Sequence, residues 1–275
     1  MTSPTTPATL PRESRPVLRT GPVVDAARAA LQPPGPLRWI IETRADSVEL
    51  RTVVRRWSTA PHPSAQLARI AGGAALRAAR LAVAVQGRHP LVSYPERVGL
   101  LAVLHAGLAV RTRRDEVLLH RLLRHEVVPA WYRARLLDPT AALQRLRFAA
   151  EGEGAWVRVL DRLPTADLGP SWQDADEQYQ AADRRTIVAL VGAPGCRPAA
   201  DIRVGQAVET LRLTAMVLGL EMHVLAAPAE PAISGMPRQA GAGVGTLAVV
   251  RFRWPGIGPG AAASVSRAAE RSDGR

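Results

Sequence analysis

The sequence predicts an α+β fold built from two related halves, and three observations carry that prediction. Hydrophobic residues make up 47% of the 275-residue chain, enough to fill one large domain or two smaller ones with a shared core. Strand-like and helix-like segments mix without the regular βαβ alternation of a doubly wound sheet. One helical segment also recurs. "AGGAALRAARLAVAVQGRHPLV" (71–92) and "RVGQAVETLRLTAMVLGLEMHVL" (203–225) each reach a glycine and run on into an apolar stretch. Gly73, Ala75, Arg80, Leu81 and Gly87 stand 132 residues before Gly205, Ala207, Arg212, Leu213 and Gly219 (73 to 205, 87 to 219). A repeat of half the chain is too long for a solenoid and points to two halves.

Taken in order, residues 1–22 are rich in Pro, Thr and Arg, lack an apolar signal core, and are expected to be disordered. The first half is expected over 23–112. Leu37–Arg44 and Ser47–Val54 read as strands, the first opening near Trp39. The helix of 71–92 ends at Gly87, a residue suited to the left-handed C′ position. Gly99–Val110 reads as a further strand, and "RRDEVLLHRLL" as a helix linking the halves.

The second half is expected over 113–256 and repeats the pattern. Ala155–Arg162 is a strand opening near Trp156, Thr186–Val191 a second, and Thr246–Trp254 the last. Residues 257–275 read as a disordered tail. Gly and Ala at the matched helical positions would let one helix sit close against another backbone.

The net charge is +12, from 36 basic and 24 acidic residues, and every basic residue is Arg. Ala, Arg, Gly and Pro all have GC-rich codons, so base composition explains this balance more simply than selection for nucleic acid. The single Cys196 excludes a disulfide framework and a cysteine metal site. No run approaches the roughly 18 apolar residues of a membrane span, so a cytoplasmic protein is expected.

Local motifs exclude several chemistries. "TIVALVGAPGCRPAADIRVGQ" has the strand–glycine–helix layout of a phosphate loop, but Arg197, Pro198 and Ala199 stand where Gly, Lys and Ser/Thr are needed. It reads as a strand-to-helix turn, with Arg197 or Arg203 available to an anion. "GAGVG" (241–245) precedes a strand instead of opening a helix, as a dinucleotide fingerprint must. "HEVVP" (125–129) has Pro129 where a zinc-protease helix needs its second His. The other histidines show no ligand spacing, so no metal site is expected.

The segments taken together resemble the Acg-type nitroreductases of actinobacteria, tandem relatives of the FMN-dependent nitroreductase fold. The resemblance runs from about Val23 to Trp254. Residues 71–92 are similar to the family's C-G-A-A-L-H-H-A-R-x-A-L-A-A-L-G-x-x-P segment. In "DIRVGQAVETLRLTAMVLGL", Asp201, Arg203, Gly205, Ala207 and Leu220 keep the places of W-L-R-A-G-E-A-L-x-x-x-L-L-x-A-T-x-x-G-L. "LQRLRFAAEGEGAWVRVLD" resembles the opening of the family's second half.

The resemblance implies a nitroreductase-like fold, its two halves forming an intrachain pseudo-dimer with a wide pocket between them. It also implies FMN as cofactor and NAD(P)H as electron donor, with hydride passing through the flavin to a nitro group or quinone. The flavin motif S-V-H-N-T-Q-P-W-R-W is matched by "ALQPPGPLRW", which keeps Pro36, Arg38 and Trp39 but has Gly35 for the Gln and Leu37 for the first Trp. The lost amides would have bonded the isoalloxazine edge. The arginine motif R-R-x-T-D-R-R-P-F becomes "RLLRHEVVPAWYR", leaving Arg121, Arg124 and Arg133 as phosphate partners in shifted places.

The cofactor-binding residues so implied are Gly35, Pro36, Arg38, Trp39, Arg121, Arg124 and Arg133, and no catalytic residue is assigned. The degraded motif implies an oxidoreductase with weakened or lost catalysis. Two alternatives stand beside it: a non-catalytic protein that binds or sequesters flavin or another planar small molecule, and an Arg-rich nucleic-acid-associated protein. A monomeric pseudo-dimer or a homodimer is expected, with no membrane partner.

Overall fold

The computed structural model describes residues 18–30, 38–44, 47–124, 139–160, 186–195, 198–229 and 247–253. They form five helices and two four-stranded sheets, an α+β architecture. The first half runs α1 (Thr20–Ala29), β1 (Trp39–Thr43), β2 (Ser47–Thr52), a 3-10 turn (Arg55–Ser58), α2 (Pro63–Ala84), β3 (Arg88–Ser93) and β4 (Leu100–Ala109). After α3 (Arg114–Leu123) the second half runs α4 (Pro139–Glu151), β5 (Trp156–Leu160), β6 (Thr186–Gly192), α5 (Ala199–Val217), β7 (Glu221–Ala229) and β8 (Leu247–Arg253).

The two sheets have one topology. Strand order is β1-β2-β4-β3 in the first and β5-β6-β8-β7 in the second, every pair antiparallel. In each, a helix is inserted between the second and third strands and returns the chain to the far edge. The matched helices of the sequence repeat therefore occupy equivalent places, α2 in one half and α5 in the other.

Both helices end as their glycines predict. Gly87 and Gly219 have φ of +70° and +72°. After α5 the Leu220 N–H donates to the Ala215 carbonyl at 2.8 Å and the Gly219 N–H to Met216 at 3.1 Å, the paired bonds of a Schellman motif. At its start α2 reaches back eight residues before Ala71. Pro63 opens it, and the His62 ring nitrogen Nδ1 accepts from the Ser64 N–H at 3.2 Å as an N-cap.

One correction concerns the start of the first half. Residues 18–22 were expected to be disordered, yet Leu18 is buried and Thr20 opens α1. The reason is local: the Gln86 side chain accepts from the Arg19 N–H at 3.0 Å and donates to its carbonyl at 3.2 Å, tying this segment to the end of α2. At the other end, α3 buries Leu122 and Leu123 in the same core cluster as α1 and α2. The expectations for residues 1–17 and 257–275 lie outside the described residues.

Two hydrophobic clusters fill the halves. One gathers α1, Trp39, Val48, Leu50, Leu104 and the sheet side of α2; the other gathers Leu146, Val157, Val191, Val250, Phe252 and much of α5. Ile202 and Leu213 of α5 belong to the first cluster, so the cores interlock. Seventeen of the 22 residues of α2 are buried, as a helix covered on nearly every side requires. Among the described residues, no helix is long and apolar enough to cross a membrane.

Candidate functional site

The halves meet along α2 and α5. Gly73 lies against the Ile202 carbonyl and the Gln206 N–H, while Gly205 lies against the Ile70 carbonyl and the Ala74 N–H. These contacts are reciprocal, because Ile70 and Ile202 are themselves repeat partners. A Cβ at either glycine would overlap the facing carbonyl. Partners climb both helices together, from Arg69–Asp201 through the glycines to Arg77–Thr210. The helices are therefore parallel and in register, related by an internal twofold running along the seam.

Ionic contacts flank the glycine crossing. Below it, Arg69 Nε and Asp201 Oδ2 are 2.6 Å apart with both side chains fully buried. The Arg69 guanidinium also donates through Nη1 to the carbonyls of Trp57 at 2.6 Å and Ala60 at 2.8 Å. Above it, Glu153 receives Arg77 at 2.9 Å and Arg80 at 2.7 Å, and Arg77 donates to the Thr210 hydroxyl at 2.8 Å. Burial pushes Arg77 below the usual guanidinium range, and Glu153 opposes that shift.

Beside the lower pair lies a cavity of about 410 Å3. Ser58 and Thr59 line it from the segment that Arg69 holds, Tyr94 to Val98 from the β3–β4 connection, and Pro198, Ala199 and Ile202 from the start of α5. Leu100, Leu101 and Ile202 supply apolar wall. Both halves contribute, and the volume lies in the range of small-molecule sites.

The positions of its polar groups follow from the backbone. Ser58 Oγ donates to the Arg55 carbonyl at 3.2 Å and accepts from the Gly99 N–H at 3.0 Å, which fixes the turn beneath the cavity. Gly99 has φ +84° and would press a Cβ onto Arg55. Tyr94 crosses to the second half. The residue is half exposed, yet burial pushes its phenol above the usual tyrosine value, against a hydrogen bond with Gln206 that lowers it. The phenol is thus neutral at physiological pH. Arg97 and Glu96 stand exposed at the mouth.

Of the residues that the resemblance implies, the described ones, Arg38, Trp39, Arg121 and Arg124, are not among those that line this cavity. Trp39 is 3% exposed and packs in the first core. The Arg38 guanidinium stands 5.5 Å from the centroid of the Trp57 ring, a cation–π contact, and so touches the cavity wall only through the residue before Ser58. Arg121 and Arg124 are exposed at the end of α3. Gly35, Pro36 and Arg133 lie outside the described residues, as do Cys196, Arg197 and the "GAGVG" and "HEVVP" stretches, apart from Arg124 before the latter. Arg203 is held by the turn it follows, donating to the Pro194 carbonyl at 3.1 Å.

The seam was legible in the repeat, but the cavity was not. Its walls come from three segments far apart in sequence, and none carries a motif. Among the described residues, no group of three His, Cys, Asp or Glu side chains is placed to hold a metal ion. The described cavity wall offers hydroxyls and an arginine but no side-chain amide to bond an isoalloxazine edge. No protein-family model and no curated protein matches this chain, and the site is read from its own geometry.

Proposed function

We propose that this chain is a small-molecule-binding pseudo-dimer of the nitroreductase type, taking a planar ligand between its halves without efficient redox turnover. The observation that carries this reading is the cavity of about 410 Å3, walled by both halves beside their internal twofold. The repeat and its order support the nitroreductase ancestry. The core position of Trp39 and the cation–π contact of Arg38 with Trp57 give both side chains structural work, which supports loss of the family's flavin contacts and, with them, of redox turnover.

Flavin is the first ligand to test because the resemblance implies it. The purified chain is mixed with FMN, desalted and examined by visible absorption. Because the described wall lacks side-chain amides for an isoalloxazine edge, loss of the flavin on desalting is the expected result, and a retained spectrum that NADH and NADPH do not bleach would make flavin the ligand. Rapid bleaching with turnover of a nitroaromatic acceptor would replace this reading with an oxidoreductase. A colourless protein would remove flavin from it and leave another planar ligand to be found.

A further inference from the structure

We propose that the ligand of this cavity has an apolar body and a single anionic head, a carboxylate or a phosphate, seated against Arg97 and the opening turn of α5. The inference rests on the cavity being a ligand site and adds the chemistry and orientation of what enters it. Three features fix the polarity. Leu100, Leu101 and Ile202 form an apolar wall that favours a hydrocarbon or aromatic body. Arg97, at the mouth, supplies a planar fork of donors suited to an oxyanion.

The third feature is α5 itself. Pro198 and Ala199, its N-cap and first residue, line the cavity, and no side chain caps this helix. That end of α5 carries its first-turn N–H groups and the positive end of its dipole. Asp201 in the same turn would cancel this field, but its charge is neutralised by the fully buried Arg69. Tyr94 lines the same cavity and adds a phenol that burial keeps neutral. Glu96 beside Arg97 opposes an anion, so Arg97 and the helix must outweigh it.

The test is calorimetric titration of the full chain with phenylacetate, phenyl phosphate and the neutral phenylacetamide. At least one anion is expected to bind, with the amide weaker by about tenfold or more, the value of a charge-assisted hydrogen bond. Whichever anion binds tighter identifies the head group. Arg97→Gln should weaken the anion by about tenfold while leaving the melting temperature unchanged, because Arg97 is exposed. Glu96→Gln should tighten it.

Amide binding equal to that of the anions, or an Arg97→Gln variant of undiminished affinity, would overturn the inference and leave the cavity reading standing. Loss of affinity in Glu96→Gln would overturn it too, in favour of a zwitterionic ligand. Failure of all three probes to bind would overturn the cavity reading itself, and the inference with it.

Discussion

Arg69 and Asp201 show how a single pair of residues couples the halves to the cavity. The two are repeat partners, 132 positions apart, and they meet where the internal twofold brings matched positions together. A buried ion pair contributes little over a well-packed apolar pair, because desolvation offsets attraction. Removing one partner is different, since the other charge is left buried. Asp201→Ala should cost about 3–5 kcal/mol in urea unfolding. The double variant Arg69→Met/Asp201→Leu should cost clearly less than the two single changes added together. An Asp201→Ala protein of unchanged stability would mean that the pair is not closed in solution. Loss of Arg69 would in addition free the carbonyls of Trp57 and Ala60 and loosen the cavity wall at Ser58 and Thr59.

Among the elements, α2 and α5 set the spacing. Gly73 and Gly205 meet facing backbone, which cannot yield, whereas Gly72 meets only the Cδ1 of Leu101, the far end of a flexible side chain. Gly73→Ala should therefore destabilise by about 1–3 kcal/mol, an overpacking cost, and Gly72→Ala by visibly less. Equal shifts in thermal unfolding would show that the crossing is not fixed by backbone contact. The sequence was informative here. The matched glycines, the Gly87 and Gly219 stops and six of the eight strands could be read from periodicity and turn residues. At β3 and β7 the apolar stretch after each helix left strand or turn open, because each follows its C-terminal glycine closely and has no turn signal of its own. The start of α2 was placed late because an Ala-rich helix shows little contrast between its faces, although Pro63 at its first position marked the true start.

Across the whole molecule, legibility falls off where function begins. Trp39 and Arg38 drew attention as ligand residues by their place in a motif, and the fold spends one in a core and the other on an indole face. The cavity wall is assembled from residues 58–59, 94–101 and 198–202, which become neighbours only after the helices dock. Local patterning cannot reveal a surface whose parts meet through tertiary contact. Net charge was no guide either, since several of the arginines are spent on internal carboxylates.

Ile202 and Leu213 of α5 sit in the core of the first half, and this bears on how the chain folds. The first half cannot close its interior until α5 arrives, and α5 also fills the core of the second half, so the two should melt as one cooperative unit. A chain severed between Arg124 and Pro139 would yield two fragments, each with a bare strip of glycine and alanine. Scanning calorimetry should find no sharp transition in either fragment alone. Mixing them should restore one, making the seam a site of fragment complementation.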